Sequence, residues 1–388
     1  MLHEAAAQAG GRCRSYFEPM LGMEIDNGNH LVLSGNSDTM RYADMLGTRA
    51  QLTGPPEAAF DFVDIASQQR WTLRPNASRL PWWIFSPKRR VPGTSALDYL
   101  ALGRLMLARK GATIAGTMAC TGLLWQRLWH PLLLAALNTG PEAARAALAG
   151  AGVRDSLARG GKACRPLIAS RGLSSAFVDP ALARIAAQGG SVRLGHRLRG
   201  LKLDEGRVAG LEFGGETVEL GPQDRLILAV PSWVAASLMP DLPVPEQQRA
   251  IINGHFRFDA PAGTPPMTGV VNGTVEWIFA FPGRISITVS GAERLLERSR
   301  EELAELFWRE TQSALGISIG MPAWQVIKEK RATFAALPEE DARRPSAQTR
   351  WTNLFLAGDY TATGLPATIE GSVRSGFLAA SLALRARA

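Results

Sequence analysis

The sequence predicts an α/β fold with a parallel sheet, on three observations. First, Arg225-Leu226-Ile227-Leu228-Ala229-Val230 is a continuous apolar run stopped by Pro231, the pattern of a strand buried on both faces. Second, Asn353-Leu354-Phe355-Leu356-Ala357-Gly358-Asp359 is another buried strand, ending on an acid, and helix formers follow from Ala367. Third, Met1 to Glu4 reads as the tail of a strand, and Gly10 and Gly11 follow where backbone must come close to something.

The remaining elements follow from periodicity and punctuation. Leu123 to Leu137 is apolar at helical spacing, with Pro131 starting, breaking or kinking it; its face suits core packing or a greasy tunnel wall. Ser191 to Leu203, Arg207 to Phe213 and Thr217 to Leu220 alternate and are separated by Asp204-Glu205-Gly206 and Gly214-Gly215, which predicts a three-stranded meander. Leu296, Leu303, Leu306, Phe307 and Ala314 recur at three- and four-residue steps before Gly316, an amphipathic helix with a glycine stop.

Composition narrows the class. With 388 residues, 46% hydrophobic and 20% charged, the chain buries a large core in one or two domains. Cys13, Cys120 and Cys164 are too scattered for a disulfide framework or a zinc site, so no metal is expected and a cytoplasmic location fits. Neither a signal segment nor a membrane-spanning run is expected. A net charge of +8 suits nucleic acid or an anionic membrane face, and without a nucleic-acid motif the membrane stands ahead. Pro81-Trp82-Trp83-Ile84-Phe85 beside Lys88, Arg89 and Arg90 fits either a membrane-interface contact or a core segment followed by a solvated turn.

Two constellations carry chemistry. Glu4 stands where a dinucleotide-binding unit places the acid that accepts from the adenosine ribose hydroxyls. Gly10 and Gly11 let backbone approach a pyrophosphate, and Arg12 supplies a guanidinium able to pair with it; Gly-Gly-Arg also marks a plain turn. The second constellation is Gly358-Asp359-Tyr360 with Ala367-Thr368-Ile369-Glu370-Gly371, where an acid at a strand end and free N–H groups at a helix start suit a flavin's ribityl chain and its N1/C2 carbonyl edge. His30 is the histidine nearest such a motif and is more simply read as structural; Cys13 has no partner cysteine and is expected to pack. No catalytic acid is assigned.

The segments HEAAAQAGGRCRS, IDNGNHL and LFLAGDYTATGLPATIEGSVRSG resemble the FAD-binding segments of the amine-oxidase and phytoene-desaturase superfamily. RGLSSAFVDPAL at 171–182 and HPLLLAALNT at 130–139 resemble in particular its hydroxysqualene dehydroxylase subgroup, from bacterial hopanoid synthesis. The resemblance implies an FAD-binding Rossmann-like domain with an inserted α+β substrate domain: 1–66, 160–235 and 345–388 for the cofactor, 67–159 and 236–344 for the substrate. It puts Glu4 on the ribose, Gly10, Gly11 and Arg12 near the pyrophosphate, and Gly358 with Asp359 on the phosphate–ribityl stretch. Thr368 and Ile369 approach the isoalloxazine, Val192 in the first meander strand offers its backbone to the adenine, and Asp26 to His30 pass the flavin.

One departure stands out. No GxGxxG precedes Glu4, so the first strand, glycine loop and first helix are expected upstream of Met1, lost either to a start codon chosen too late or to a real truncation that cripples the site. The implied activity is reductive removal of the hydroxyl of hydroxysqualene, giving squalene, in a dry apolar tunnel; Trp82, Trp83, Phe85, Leu123, Trp125, Trp129 and Leu132 to Leu134 are candidate lining. So apolar a substrate is met at a membrane, as a peripheral contact. The alternatives are a desaturase or amine oxidase with the same flavin site, and a flavin-free protein that presents isoprenoids to other enzymes.

Overall fold

The computed structural model describes residues 1–109 and 111–386. Its largest element is a seven-stranded sheet in the order Trp324–Phe334, Gln248–Phe256, Arg284–Val289, Trp277–Phe281, Met267–Val271, Phe60–Asp64, Arg70–Leu73. All neighbours run antiparallel except Met267–Val271 and Phe60–Asp64, which are parallel. Phe60–Asp64 lies before the expected boundary near residue 66, yet it is in register with residues 268–271 across the sheet.

Period-two alternation gives this sheet two unlike faces. Ile285, Ile287 and Val289, with Ile252 and Phe256 of the neighbouring strand, form one aliphatic face. The amphipathic helix Arg300–Leu315 covers it with Leu303, Ala304, Phe307, Trp308 and Ala314. That helix is fixed at its start by a capping box between Ser299 and Glu302, and stops where Gly316 adopts a φ of 68°. The other face carries Asn253, His255, Ser286 and Thr288 at one end and Phe62, Trp71, Trp277 and Phe279 at the other.

The aromatic end packs against the segment 123–137. Residues 125–129 form a wide π-type turn, and His130–Leu137 continues as an α-helix with Pro131 in its first turn. A proline inside a helix lacks one donor and crowds the preceding turn, and the widened turn accommodates both defects without ending the helix. Trp125, Trp129 and Leu133 are buried, whereas Leu123 is exposed.

The expected parallel strands exist as two short pairs. Leu226–Leu228 lies parallel to Leu354–Leu356, and Leu2–His3 lies parallel to Val192–Arg193. Two expectations are corrected here. Residues 225–230 are not buried on both faces: the strand is only Leu226–Leu228, it has a single strand partner, and Ile227 is 39% exposed. Val192 is not in the meander, which is Gly200–Asp204, Arg207–Glu212 and Thr217–Glu219; left-handed backbone at Gly195 separates Val192 from it, leaving Val192 to pair with Leu2. Asn353 ties meander to strand, its amide accepting from Val208 N and donating to Val208 O, both at 2.9 Å. Among the described residues no helix is long and apolar enough to cross a membrane.

Candidate functional site

The residues singled out in sequence fall into two groups. In the first, Glu4 N donates to Arg193 O at 2.9 Å and Glu4 O accepts from His196 N at 2.8 Å, so the backbone of Glu4 continues the pairing of Leu2 with Val192. The Glu4 carboxylate accepts from Ala6 N at 2.8 Å and remains partly open to solvent. This brings an acid and the backbone of Val192 to the same end of one parallel pair, although nearly half the chain separates them.

The second group gathers around Arg12. Gly10 has a φ of 107°, and a Cβ there would lie 2.9 Å from Val178 Cγ2, so both backbone and space require glycine. Gly11, at a φ of 55°, opens the single helical turn Gly11–Cys13. That turn delivers Arg12 to the far end of the chain: its guanidinium pairs with the Asp359 carboxylate at 2.9 Å and donates to Ala332 O. Asp359 raises the affinity of Arg12 for its proton, outweighing burial. Beside them, Pro231, Ser232, Trp233, Gln248, Phe334 and Tyr360 complete a narrow cleft.

Gly358 turns the chain out of the strand Leu354–Leu356 at a φ of 138°, and its N–H donates to Ser375 Oγ at 2.8 Å. The helix Ile369–Arg385 then begins at Thr368, whose hydroxyl accepts from Gly371 N at 3.1 Å. The N–H groups of Ile369 and Glu370 have no partner inside the helix, as at every helix start, and form a partial positive charge. The Ile369 side chain packs, partly buried, against the cluster of Val32, Met40 and Leu167.

Sequence reasoning gave no role to two residues that hold this group in shape. Arg344 is buried and donates to the carbonyls of Thr361 at 3.0 Å, Leu365 at 2.8 Å and Asp359 at 3.1 Å, and to the Asp341 carboxylate at 2.8 Å. It therefore fixes the whole 359–365 loop. Glu370 is buried and accepts from Thr39 N and Thr39 Oγ, both at 2.8 Å, and from Asp38 N at 3.1 Å. It caps the helix Ser37–Leu46 and locks it to the C-terminal helix. The Glu370–Arg374 spacing was a visible signal for a helix-surface pair, while nothing in the sequence around Arg344 marks a buried cation.

The segment 26–30 meets the polar end of the large sheet. Asp26 accepts from Ser15 Oγ at 2.6 Å and Leu173 N at 2.8 Å and faces Arg284 at 3.7 Å. Asn29 donates to Thr288 Oγ1 at 3.1 Å, and His255 shares a 2.8 Å hydrogen bond with Ser286 Oγ. Burial lowers the pKa of His30, against the pull of Asp26, so its imidazole is not a standing cation near neutral pH. Burial likewise pushes the Cys13 thiol up to about 12, which leaves it a protonated, unreactive packing group.

These residues fit a flavin dinucleotide. A guanidinium and a carboxylate facing each other join backbone turned by glycine at Gly10 and Gly358 from opposite ends of the chain, and a helix start with free N–H groups follows at Thr368. Such an array suits a ligand that combines phosphates, hydroxyls and a polar ring edge.

The chain belongs to the flavin-containing amine oxidoreductase family, whose profile matches residues 1–384, and it is an FAD-dependent enzyme of that family. Within it the chain groups with the hydroxysqualene dehydroxylases. It is 53% identical over 386 residues to hydroxysqualene dehydroxylase of Rhodopseudomonas palustris, covering 99% of this chain and 92% of that one. It is 51% identical over 383 residues to hydroxysqualene dehydroxylase of Sinorhizobium fredii, again covering 99% and 92%. Its fold is shared with cyclohexylamine oxidase from Brevibacterium oxydans, at a TM-score of 0.69 and 17% identity, with 98% of this chain and 92% of that one aligned.

Proposed function

We propose that this enzyme converts hydroxysqualene to squalene, with FAD in its reduced form as the source of hydride. The overall change breaks the substrate C–O bond, forms a C–H bond at the same carbon and releases the hydroxyl as water after it takes up a proton. Support comes from the hydroxysqualene dehydroxylase relatives, and above all from the meeting of Arg12 and Asp359.

In this reading Glu4 holds the adenosine ribose, the backbone of Val192 meets the adenine, and Gly10, Gly11 and Arg12 hold the pyrophosphate. Gly358 and Asp359 hold the ribityl stretch, and the N–H groups at Thr368 and Ile369 face the isoalloxazine. The polar end of the sheet lies toward the 26–30 segment, while the aromatic end, with Trp71, Trp129 and Trp277, excludes water from an ionising substrate. The cofactor part comprises 1–66, 160–235 and 345–388, less the strand Phe60–Asp64, which goes with the substrate part at 67–159 and 236–344. The enzyme works in the cytoplasm and meets its thirty-carbon substrate at a membrane, without crossing it.

The test is to purify the protein, measure its flavin absorbance, and incubate it without oxygen with hydroxysqualene and a chemical reductant. Squalene formed only with reductant is the expected result. New double bonds in the product, or no flavin and no squalene, would overturn the reading.

A further inference from the structure

Residues 79–109 form a lobe that carries both buried and exposed large apolar side chains. Inward, Trp83 packs edge-on against Tyr99 with ring centroids 5.0 Å apart, and Tyr99 packs against Trp129 at 6.0 Å. Outward, Leu80, Trp82, Phe85, Leu97, Leu100 and Leu107 are each at least 62% exposed. Trp82 is the single exposed tryptophan among the described residues, and its ring sits 6.3 Å from that of Phe85. Isolated exposed leucines are ordinary, but Trp82 and Phe85, side by side on the single turn Trp82–Phe85, form an exposed aromatic patch.

The charge of this segment is one-sided. Residues 79–109 contain six cations, Arg79, Lys88, Arg89, Arg90, Arg104 and Arg109, and a single acid, Asp98, whose carboxylate is occupied by Ser95 N at 2.7 Å.

We propose that this lobe is the membrane-docking surface, with Trp82 and Phe85 inserted at headgroup depth and the cations on anionic lipid headgroups. Indole and phenyl rings flanked by Arg and Lys match the two layers of that interface, apolar below and anionic above. A second copy of this chain suits the patch poorly, because it would set cations against cations. The surface also backs directly onto the buried aromatic cluster through the neighbouring Trp82 and Trp83. It thus gives the membrane contact of the proposed function, on which it rests, a definite place.

Sedimentation with vesicles of phosphatidylcholine alone, or mixed with phosphatidylglycerol, tests this, with circular dichroism confirming the fold of each variant. The full chain is expected to bind the mixed vesicles at least tenfold better, and to keep part of that binding in high salt. The doubly substituted W82A/F85A protein is expected to lose at least tenfold, and K88E/R89E to lose the preference for phosphatidylglycerol. Undiminished binding by W82A/F85A would refute the surface while leaving membrane contact intact. Absence of vesicle binding by the parent protein would refute both, yet squalene formation would still stand. A parent dimer that W82A/F85A converts to monomer would assign the patch to a second copy instead.

Discussion

The Arg12 guanidinium lies 2.9 Å from the Asp359 carboxylate, so the glycine turn at the start of the chain and the Gly-Asp corner near its end form one polar centre. Neither partner is isolated: Arg12 also reaches Ala332 O, and the Asp359 carbonyl accepts from Arg344 at 3.1 Å. Flavin hydroxyls and phosphates would share the same two charges.

Asp359→Asn keeps the shape of this centre and removes its charge. Flavin affinity is expected to fall about tenfold or more, ~1.4 kcal/mol, because a charge-assisted contact becomes neutral. Fluorescence titration with FAD measures it, and an unchanged Kd would remove Asp359 from the site.

Glycine substitutions at two positions should have opposite signs. Gly10→Ala places a Cβ 2.9 Å from Val178 Cγ2 on a backbone at φ 107°, and should cost roughly 1–3 kcal/mol. Gly376→Ala meets nothing within 4 Å and lies inside a helix, where it should stabilise by about 0.5–1 kcal/mol. Thermal denaturation of the two proteins decides; a destabilising Gly376→Ala would contradict the open space seen beside that helix.

Glu370→Gln tests the lock between the two helices. The neutral amide still accepts from Thr39 but no longer neutralises the helix start or Arg374, so a loss of roughly 1–3 kcal/mol is expected. Urea denaturation at neutral pH provides the measurement. Equal stability would mean that the carboxylate charge contributes nothing there.

Glu276 provides a pH signature. Burial raises its carboxyl pKa to about 7, against hydrogen bonds from Ser290, whose N–H donates at 2.9 Å. The unfolded chain releases this proton near the ordinary glutamate value and the folded chain holds it to about 7. Its stabilising contribution is therefore present at low pH and is lost as pH rises through that interval. Glu276→Gln should gain stability relative to the parent as pH rises from about 5 to 8, by roughly 3 kcal/mol. A stability difference that stays flat with pH would show that Glu276 ionises freely in the folded protein.

Legibility in the sequence followed the range of the interaction. The helix Arg300–Leu315 and its Gly316 stop are written in local spacing, although Leu296 lies ahead of the Ser299 cap, and so are the strand Leu354–Leu356 and the Thr368 helix start. Strand partners are not local. Val192 alternates plausibly with the meander that follows it, yet pairs with Leu2, and Ile227 reads as core although its neighbours leave it exposed. Arg344 illustrates the same limit for the site: its carbonyl acceptors lie 15 to 21 residues further along the chain, beyond the reach of local spacing.

The two parallel pairs and the Arg12–Asp359 centre also govern how the protein matures. Leu226–Leu228 has no strand partner until Leu354–Leu356 arrives, and the Thr39 helix start has no carboxylate until Glu370 does. While the chain emerges from the ribosome, the seven-stranded sheet can close on itself, but the cofactor cradle stays open until the last helix clears the exit. Closing such distant contacts is slow and leaves apolar side chains such as Leu228, buried in the folded protein, uncovered in the interval. Cofactor supply during synthesis should therefore affect the yield of folded enzyme.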